Sequence, residues 1–201
     1  MYIIAGLYGR QRLKTPKGSQ TRPTSSRLRE SLFNICRQSI EGAKFLDIFA
    51  GSGAMGLEAL SRGADSATFI EYHKDAVQCI ESNIQLLNVK GQCQILRGDV
   101  FTKLQLLNTQ EMKFDIIYAD PPYRTLAPHS SHYFSAEIVH WLDKHLLLVD
   151  GGILFIEEAF RSEPQLENLQ TLQLKDSRRM GEAVLQQYIL TPETNILKTE
   201  L

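Results

Sequence analysis

Short apolar runs alternate along this 201-residue chain with longer stretches whose apolar residues recur every three or four positions. Runs 45–49, 66–70, 93–96, 114–119 and 152–156 are largely apolar and read as strands covered on both faces. Helical spacing fits 54–62, 75–87 and 136–148, and the tail adds strands 169–174 and 183–190 around a turn at Met180-Gly181. The alternation predicts a mostly parallel α/β sheet with helices on both faces. The last two strands have no helix between them, which predicts a seven-stranded sheet with an antiparallel strand at one edge. Upstream, Tyr2-Ile3-Ile4-Ala5-Gly6 and Gln11-Arg12-Leu13 read as a hairpin around Tyr8-Gly9-Arg10. A helix follows, with Thr24 or Ser25 as its cap, Leu28, Leu32, Phe33, Ile35 and Cys36 as its stripe, and Gly42 as its end. The chain divides on this reading into a hairpin-and-helix extension, 1–41, and an α/β body, 42–201.

Composition bounds the class. An apolar fraction of 43% and a charged fraction of 22% are those of a soluble globular protein. No apolar run approaches a membrane span, and the first residues lack the basic and apolar regions of a secretion signal. Cys36, Cys79 and Cys93 form no C-x-x-C pair and read as reduced core thiols, so the expected location is the cytoplasm. His129 and His132 have no third ligand near them in sequence and read as surface loop residues, with no metal expected. The net charge of −1 conceals an asymmetry: residues 1–30 carry +6 and the remainder −7. A basic arm on an acidic body suggests a polyanion held by one face. A solvated tail is the plainer alternative, but a hairpin with apolar alternation presents its arginines rigidly.

Two motifs carry chemistry. Gly51, Gly53 and Gly56 follow the first strand as G-x-G-x-x-G, and Glu71 stands 20 residues after Gly51 at the end of the second strand. This is the dinucleotide fingerprint, so a nicotinamide oxidoreductase has to be weighed. Asp47 weighs against it. A pyrophosphate on the helix N-terminus would be repelled by a carboxylate in the same loop, whereas a sulfonium and an ammonium group would be attracted. S-adenosylmethionine is therefore the expected cofactor, held by Asp47, Phe49, Gly51, Gly53 and Glu71. Asp99 and Val100 after the third strand offer an acceptor and an N–H to an adenine, although Asp99 also fits the N-cap of the following helix.

The second motif is Asp120-Pro121-Pro122-Tyr123, which ends the fourth strand. Two prolines fix two φ angles and remove two donors, so the local carbonyls are held still and left to accept. The result is a clamp for a flat molecule bearing an N–H₂ group.

These motifs, with Leu13-Lys14-Thr15-Pro16, Thr21-Arg22-Pro23-Thr24-Ser25 and Leu46-Asp47-Ile48-Phe49-Ala50-Gly51-Ser52-Gly53, resemble Rossmann-like class I methyltransferases acting on exocyclic amines of bases. Within them the chain is similar, over nearly its whole length, to the bacterial 16S ribosomal RNA (guanine-966-N2) methyltransferase family. The resemblance implies methyl transfer to a guanine N2 of 16S rRNA, in an assembled or assembling small subunit. It implies that Asp120 and Pro121 hold the amine and that Tyr123 stacks on the base. It also implies that Arg10, Arg12 and Lys14 grip the RNA backbone, with Arg22, Arg27 and Arg124 nearer the site. D-P-P-Y also serves adenine N6, so DNA or tRNA adenine stays open on the motifs, whereas a noncatalytic RNA-binding assembly factor of the same fold has no support, since every motif position is filled.

Overall fold

A computed structural model describes residues 1–16, 26–122, 134–160, 166 and 168–191. The expected roles of Arg22, Tyr123 and Arg124, the caps Thr24 and Ser25, and the loop histidines His129 and His132 lie outside the described residues. In chain order the elements are α1 (Ser26–Ile35), β1 (Lys44–Ile48), α2 (Ala54–Ser61), β2 (Ser66–Glu71), α3 (Lys74–Leu87), β3 (Cys93–Arg97), α4 (Val100–Thr109), β4 (Phe114–Ala119), α5 (Phe134–His145), β5 (Leu148–Ala159), β6 (Leu172–Met180) and β7 (Ala183–Leu190). They build one seven-stranded sheet in the order β3-β2-β1-β4-β5-β7-β6. The first five strands are parallel, and β7 runs antiparallel to both its neighbours. The antiparallel strand thus sits one place inside the edge, and β6 closes it. A tight turn at Gly181, with φ of 69°, permits nothing but an antiparallel hairpin there.

The sheet buries a core on each face. Phe45, Phe69, Ile116 and Phe155 pack under α1, α2 and α3, while Leu46, Ile117, Leu154 and Tyr188 pack under α4 and α5. Each fully buried Leu, Ile or Phe stabilises the fold by about 1.5–3 kcal/mol. Phe33 of α1 stacks on Phe45 of β1 at 6.0 Å, fixing α1 against the first face. Asn88 in the left-handed conformation stops α3. Asp143 of α5 accepts the backbone N–H groups of Gln170, Thr171 and Leu172 at 2.7–2.8 Å, which aims the chain into β6. Burial pushes that carboxyl up, but the three N–H bonds outweigh it and hold its pKa below the ordinary value.

Several expected boundaries move. The hairpin forms a single bridge, Tyr2 to Arg12, with a turn through residues 5–10 in place of two extended strands. Its turn is pulled down onto α2: Ile4 and Ala5 donate to Glu58, Leu7 donates to the Ser61 carbonyl, and Tyr8 donates to Ser61 Oγ. A side chain at Gly6, where φ is 85°, would run into the Ser61 carbonyl oxygen at 1.8 Å, so only glycine lets the arm lie this close. Ile3 and Leu13 are buried in the same core as α1 and α2, so the arm is packed onto the body at both ends. Strand β6 covers 172–180, not 169–174, because Asp143 ties down the residues before it. Helix α5 starts two residues earlier and ends three sooner than expected, and β5 runs from 148.

Candidate active site

Four strand ends and one glycine loop meet along the carboxyl edge of β3-β2-β1-β4. Beyond β1 the chain passes through Phe49 and Gly51, with φ of 63° and 56°, and turns into α2 at Gly53, φ 75°. The Ala50 N–H donates to the Ile70 carbonyl and the Gly51 N–H to Glu71 Oε2 at 2.8 Å, so the loop is stitched to β2. Glu71 Oε1 accepts from the His73 N–H, also at 2.8 Å. Each carboxylate oxygen has two lone pairs, so Glu71 retains acceptor capacity for a ligand hydroxyl. A Cβ at Gly56 would lie 2.4 Å from the Phe69 ring, which makes this glycine the one that allows close helix–strand packing.

Asp47 is placed differently from the loop-surface position its sequence context suggests. It is the penultimate residue of β1, 1% exposed, and its Oδ2 accepts the Gly56 N–H at 3.0 Å beneath the loop. Burial raises its pKa well above the ordinary value, the Gly56 bond opposes that, and the nearby Asp120 and Glu71 charges add to it. A raised folded pKa means that this group favours folding fully below its ordinary pKa and loses that contribution as pH climbs through the folded value. Asp47→Asn keeps an acceptor for Gly56 and cannot ionise. Urea unfolding of both proteins from pH 5 to pH 8 is expected to show the variant gaining on the wild type as pH rises. A difference independent of pH would contradict the buried, raised carboxyl.

The other edge residues fall where the spacing puts them. Asp99 is exposed and caps α4, Oδ1 accepting from the Thr102 N–H and hydroxyl at 3.0 Å, so the capping alternative is realised. The Val100 N–H opens α4 as one of the first-turn donors that no helix satisfies internally. Asp120 follows β4 half-buried beside β1, its N–H 3.4 Å from the Ile48 carbonyl, with Pro121 buried and Pro122 exposed. Arg10, Arg12 and Lys14 are exposed on the arm, and Arg27 is exposed at the start of α1.

Three features escaped the sequence reading. Phe134 of α5 meets Phe49 edge-on and stacks on Phe101 of α4, both at 5.9 Å, giving the edge an aromatic wall between β1 and β3. Tyr72, just after Glu71, is 66% exposed at the same edge. Glu157, which follows the Ile156–Ala119 register pair, is buried beside Asp120 and accepts the Tyr118 hydroxyl at 2.8 Å. The available signal was the carboxylate pair Glu157-Glu158 set between the apolar run Ile153-Leu154-Phe155-Ile156 and Ala159-Phe160.

The described residues contain no group of three or more His, Cys, Asp or Glu able to hold a metal, and no helix among them is long and apolar enough to cross a membrane. Burial pushes the Cys36 and Cys93 thiols up to about 12, so neither is a ready thiolate nucleophile.

A glycine loop after β1, an acid ending β2 and Asp-Pro-Pro ending β4, on a sheet of this order, define a class I S-adenosylmethionine-dependent methyltransferase. The donor set fits that cofactor: acids that could meet its cationic groups, acceptor capacity on Glu71 that could take a ribose hydroxyl, and phenylalanine rings with the Val100 N–H that could hold a base. The family model described as Conserved hypothetical protein 95 matches residues 1–189, and the chain belongs to that family. Ribosomal RNA small subunit methyltransferase D of Escherichia coli (strain K12) is 34% identical over 155 residues, 77% of this chain and 73% of that protein. The solved chain of yhhF from Escherichia coli superposes with a TM-score of 0.78 at 30% identity, covering 95% of this chain and 98% of its own. A Thermus thermophilus 16S rRNA N2 G1207 methyltransferase, solved with AdoMet and guanosine, is 23% identical with a TM-score of 0.66, over 88% of this chain and 45% of its own. That last likeness is one of fold.

Proposed function

We propose that this enzyme methylates the exocyclic N2 amine of a guanine in 16S rRNA, in the cytoplasm, on an assembled or assembling small subunit. The observation that carries the reading is Asp120-Pro121 at the end of β4, directly beside the β1 glycine loop. An exocyclic amine is a weak nucleophile because its lone pair is delocalised into the ring. Asp120 and the Pro121 carbonyl accept its two N–H groups, favouring the tetrahedral nitrogen and stabilising the positive charge that grows on it. S-adenosylmethionine, when bound, supplies an activated methyl group. The proton of the methylated amine leaves to Asp120 or to water. Gly51, Gly53, Glu71, Asp99 and Val100, with Phe49 in the aromatic wall, hold the cofactor for in-line approach. Asp47 acts from below by pinning Gly56. To these we add the assignments of Tyr72 to the cofactor's base, Tyr123 to stacking on the target base, and Arg22, Arg27 and Arg124 to RNA contact.

The exposed Arg10, Arg12 and Lys14 bind phosphates from a rigid arm. Replacing Arg10 and Arg12 with glutamine should weaken binding of 16S rRNA fragments roughly tenfold and lower the salt slope by about 1 per lost phosphate contact. S-adenosylhomocysteine affinity should stay at the wild-type value. Salt-dependent filter binding with calorimetry checks both, and a loss of cofactor affinity with RNA binding intact would refute the assignment.

A further inference from the structure

We propose that the β5–β7–β6 corner is a second RNA-contact surface, flanking the acceptor site on the side away from the basic arm. The inference rests on the rRNA reading above.

Geometry puts this corner at the active edge. Ala119 pairs with Ile156, but β5 continues to Ala159, which carries the corner about 10 Å past the end of β4. Hairpin β6–β7 rises with it: Arg178 is level with Leu185 and Glu157, Arg179 with Val184 and Glu158, and Met180 with Ala183 and Ala159. Arg178 and Arg179 therefore stand at or above the level of Asp120, three strand spacings or about 14 Å to one side. That is the reach of nucleotides a few steps along a strand from a base held at Asp120.

Chemistry fits the same partner. Arg179 lies over the Phe160 ring at 3.3 Å and donates from Nε to the Gly181 carbonyl, so its guanidinium is held flat across an aromatic face. Phe160 is 38% exposed. A fixed cation on an exposed ring is the element that proteins use to stack a base and meet its phosphate. Lys175 is exposed on the same strand. Arg178 pairs with Asp176 at 2.6 Å, but both are well exposed, and a phosphate competes readily with such a pair. Cations on an edge strand also discourage edge-to-edge pairing, and that role alone predicts no RNA effect.

The test is a double variant, Arg178→Gln with Arg179→Gln, in the full chain. Its binding to a 16S rRNA fragment is measured across a salt series, beside S-adenosylhomocysteine affinity and the unfolding midpoint. The expected result is RNA affinity down roughly fivefold to tenfold and the salt slope lower by about 1–2, with cofactor affinity and midpoint unchanged. The Lys-for-Arg double variant should keep most of the salt slope. RNA affinity and slope equal to wild type would overturn the proposal. So would a loss seen only on protein-containing subunits with naked RNA bound normally, which would assign the corner to a protein. Failure of the wild-type chain to bind RNA at all would instead remove the rRNA reading on which the proposal stands.

Discussion

Asp120→Ala is expected to lower the methylation rate by about 10²–10³-fold, the usual consequence of removing one group aimed at charge developing in a transition state. The side chain follows β4 on the carboxyl edge, half-buried, with its backbone set against β1 and its neighbour Pro121 buried. Its loss leaves the amine with the Pro121 carbonyl alone. The fold should persist, because the truncated side chain is only half-buried at a strand end and its charge opposes that of the nearby Asp47. S-adenosylhomocysteine should bind within a few-fold of wild type. Single-turnover transfer of labelled methyl, with calorimetry on the same preparations, separates these statements. Asp120→Asn retains an acceptor oxygen and should recover part of the rate.

Glu58→Ala is expected to be the most destabilising single substitution outside the site. Glu58 is completely buried in α2 and accepts from Ile4 N–H at 2.7 Å, Ala5 N–H at 3.0 Å and Arg62 Nε at 2.7 Å. Arg29 stands against the same charge. It is 2% exposed, donates to the Tyr2 carbonyl at 2.9 Å, and its Nε and Nη1 have no hydrogen-bond partner among the described residues. Burial lowers the Arg29 pKa, and Glu58 is the largest influence holding it up. Deleting Glu58 strands two cations in the interior, a defect that typically costs about 3–5 kcal/mol. For a chain of this size that corresponds to roughly 2–4 °C in the unfolding midpoint per kcal/mol. The arm loses its anchor at the same time, so limited proteolysis should cut before residue 16 much faster than in wild type. A midpoint within 2 °C of wild type, or an arm as resistant as before, would contradict the anchoring role.

Much of this was legible from spacing. The glycine loop, the acids at strand ends and the β4 terminus declare themselves because a buried parallel strand is apolar and its exit is marked by Gly, Asp or Pro. The direction in which a carboxylate points is not written in the sequence. Asp47 reads as a ligand of the loop, yet at the penultimate position of β1 its side chain turns under α2 to meet the Gly56 N–H. Nothing in the spacing of the 54–62 helix singles out Glu58, which is wholly interior because the arm folds over it. The arm's hairpin was foreseeable from alternation, but its anchoring was not, since the partners are more than 50 residues apart. Strand β6 is hard to place because an edge strand with Gln173, Leu174 and Lys175 all exposed has no inside–outside period to read. Helix α4 carries a stripe at Val100, Leu104 and Leu107, but the apolar Phe101 and the exposed Leu106 beside it blur the period.

The identity of the methylated atom separates a guanine N2 acceptor from an adenine N6 acceptor. Small subunits and 16S rRNA from a strain lacking the activity are incubated with the purified chain and methyl-labelled S-adenosylmethionine, and the RNA is digested to nucleosides. Label in N2-methylguanosine, at a single mapped position and absent with Asp120→Ala, is the predicted result. Label in N6-methyladenosine, or unlabelled RNA from both substrates, would contradict the account.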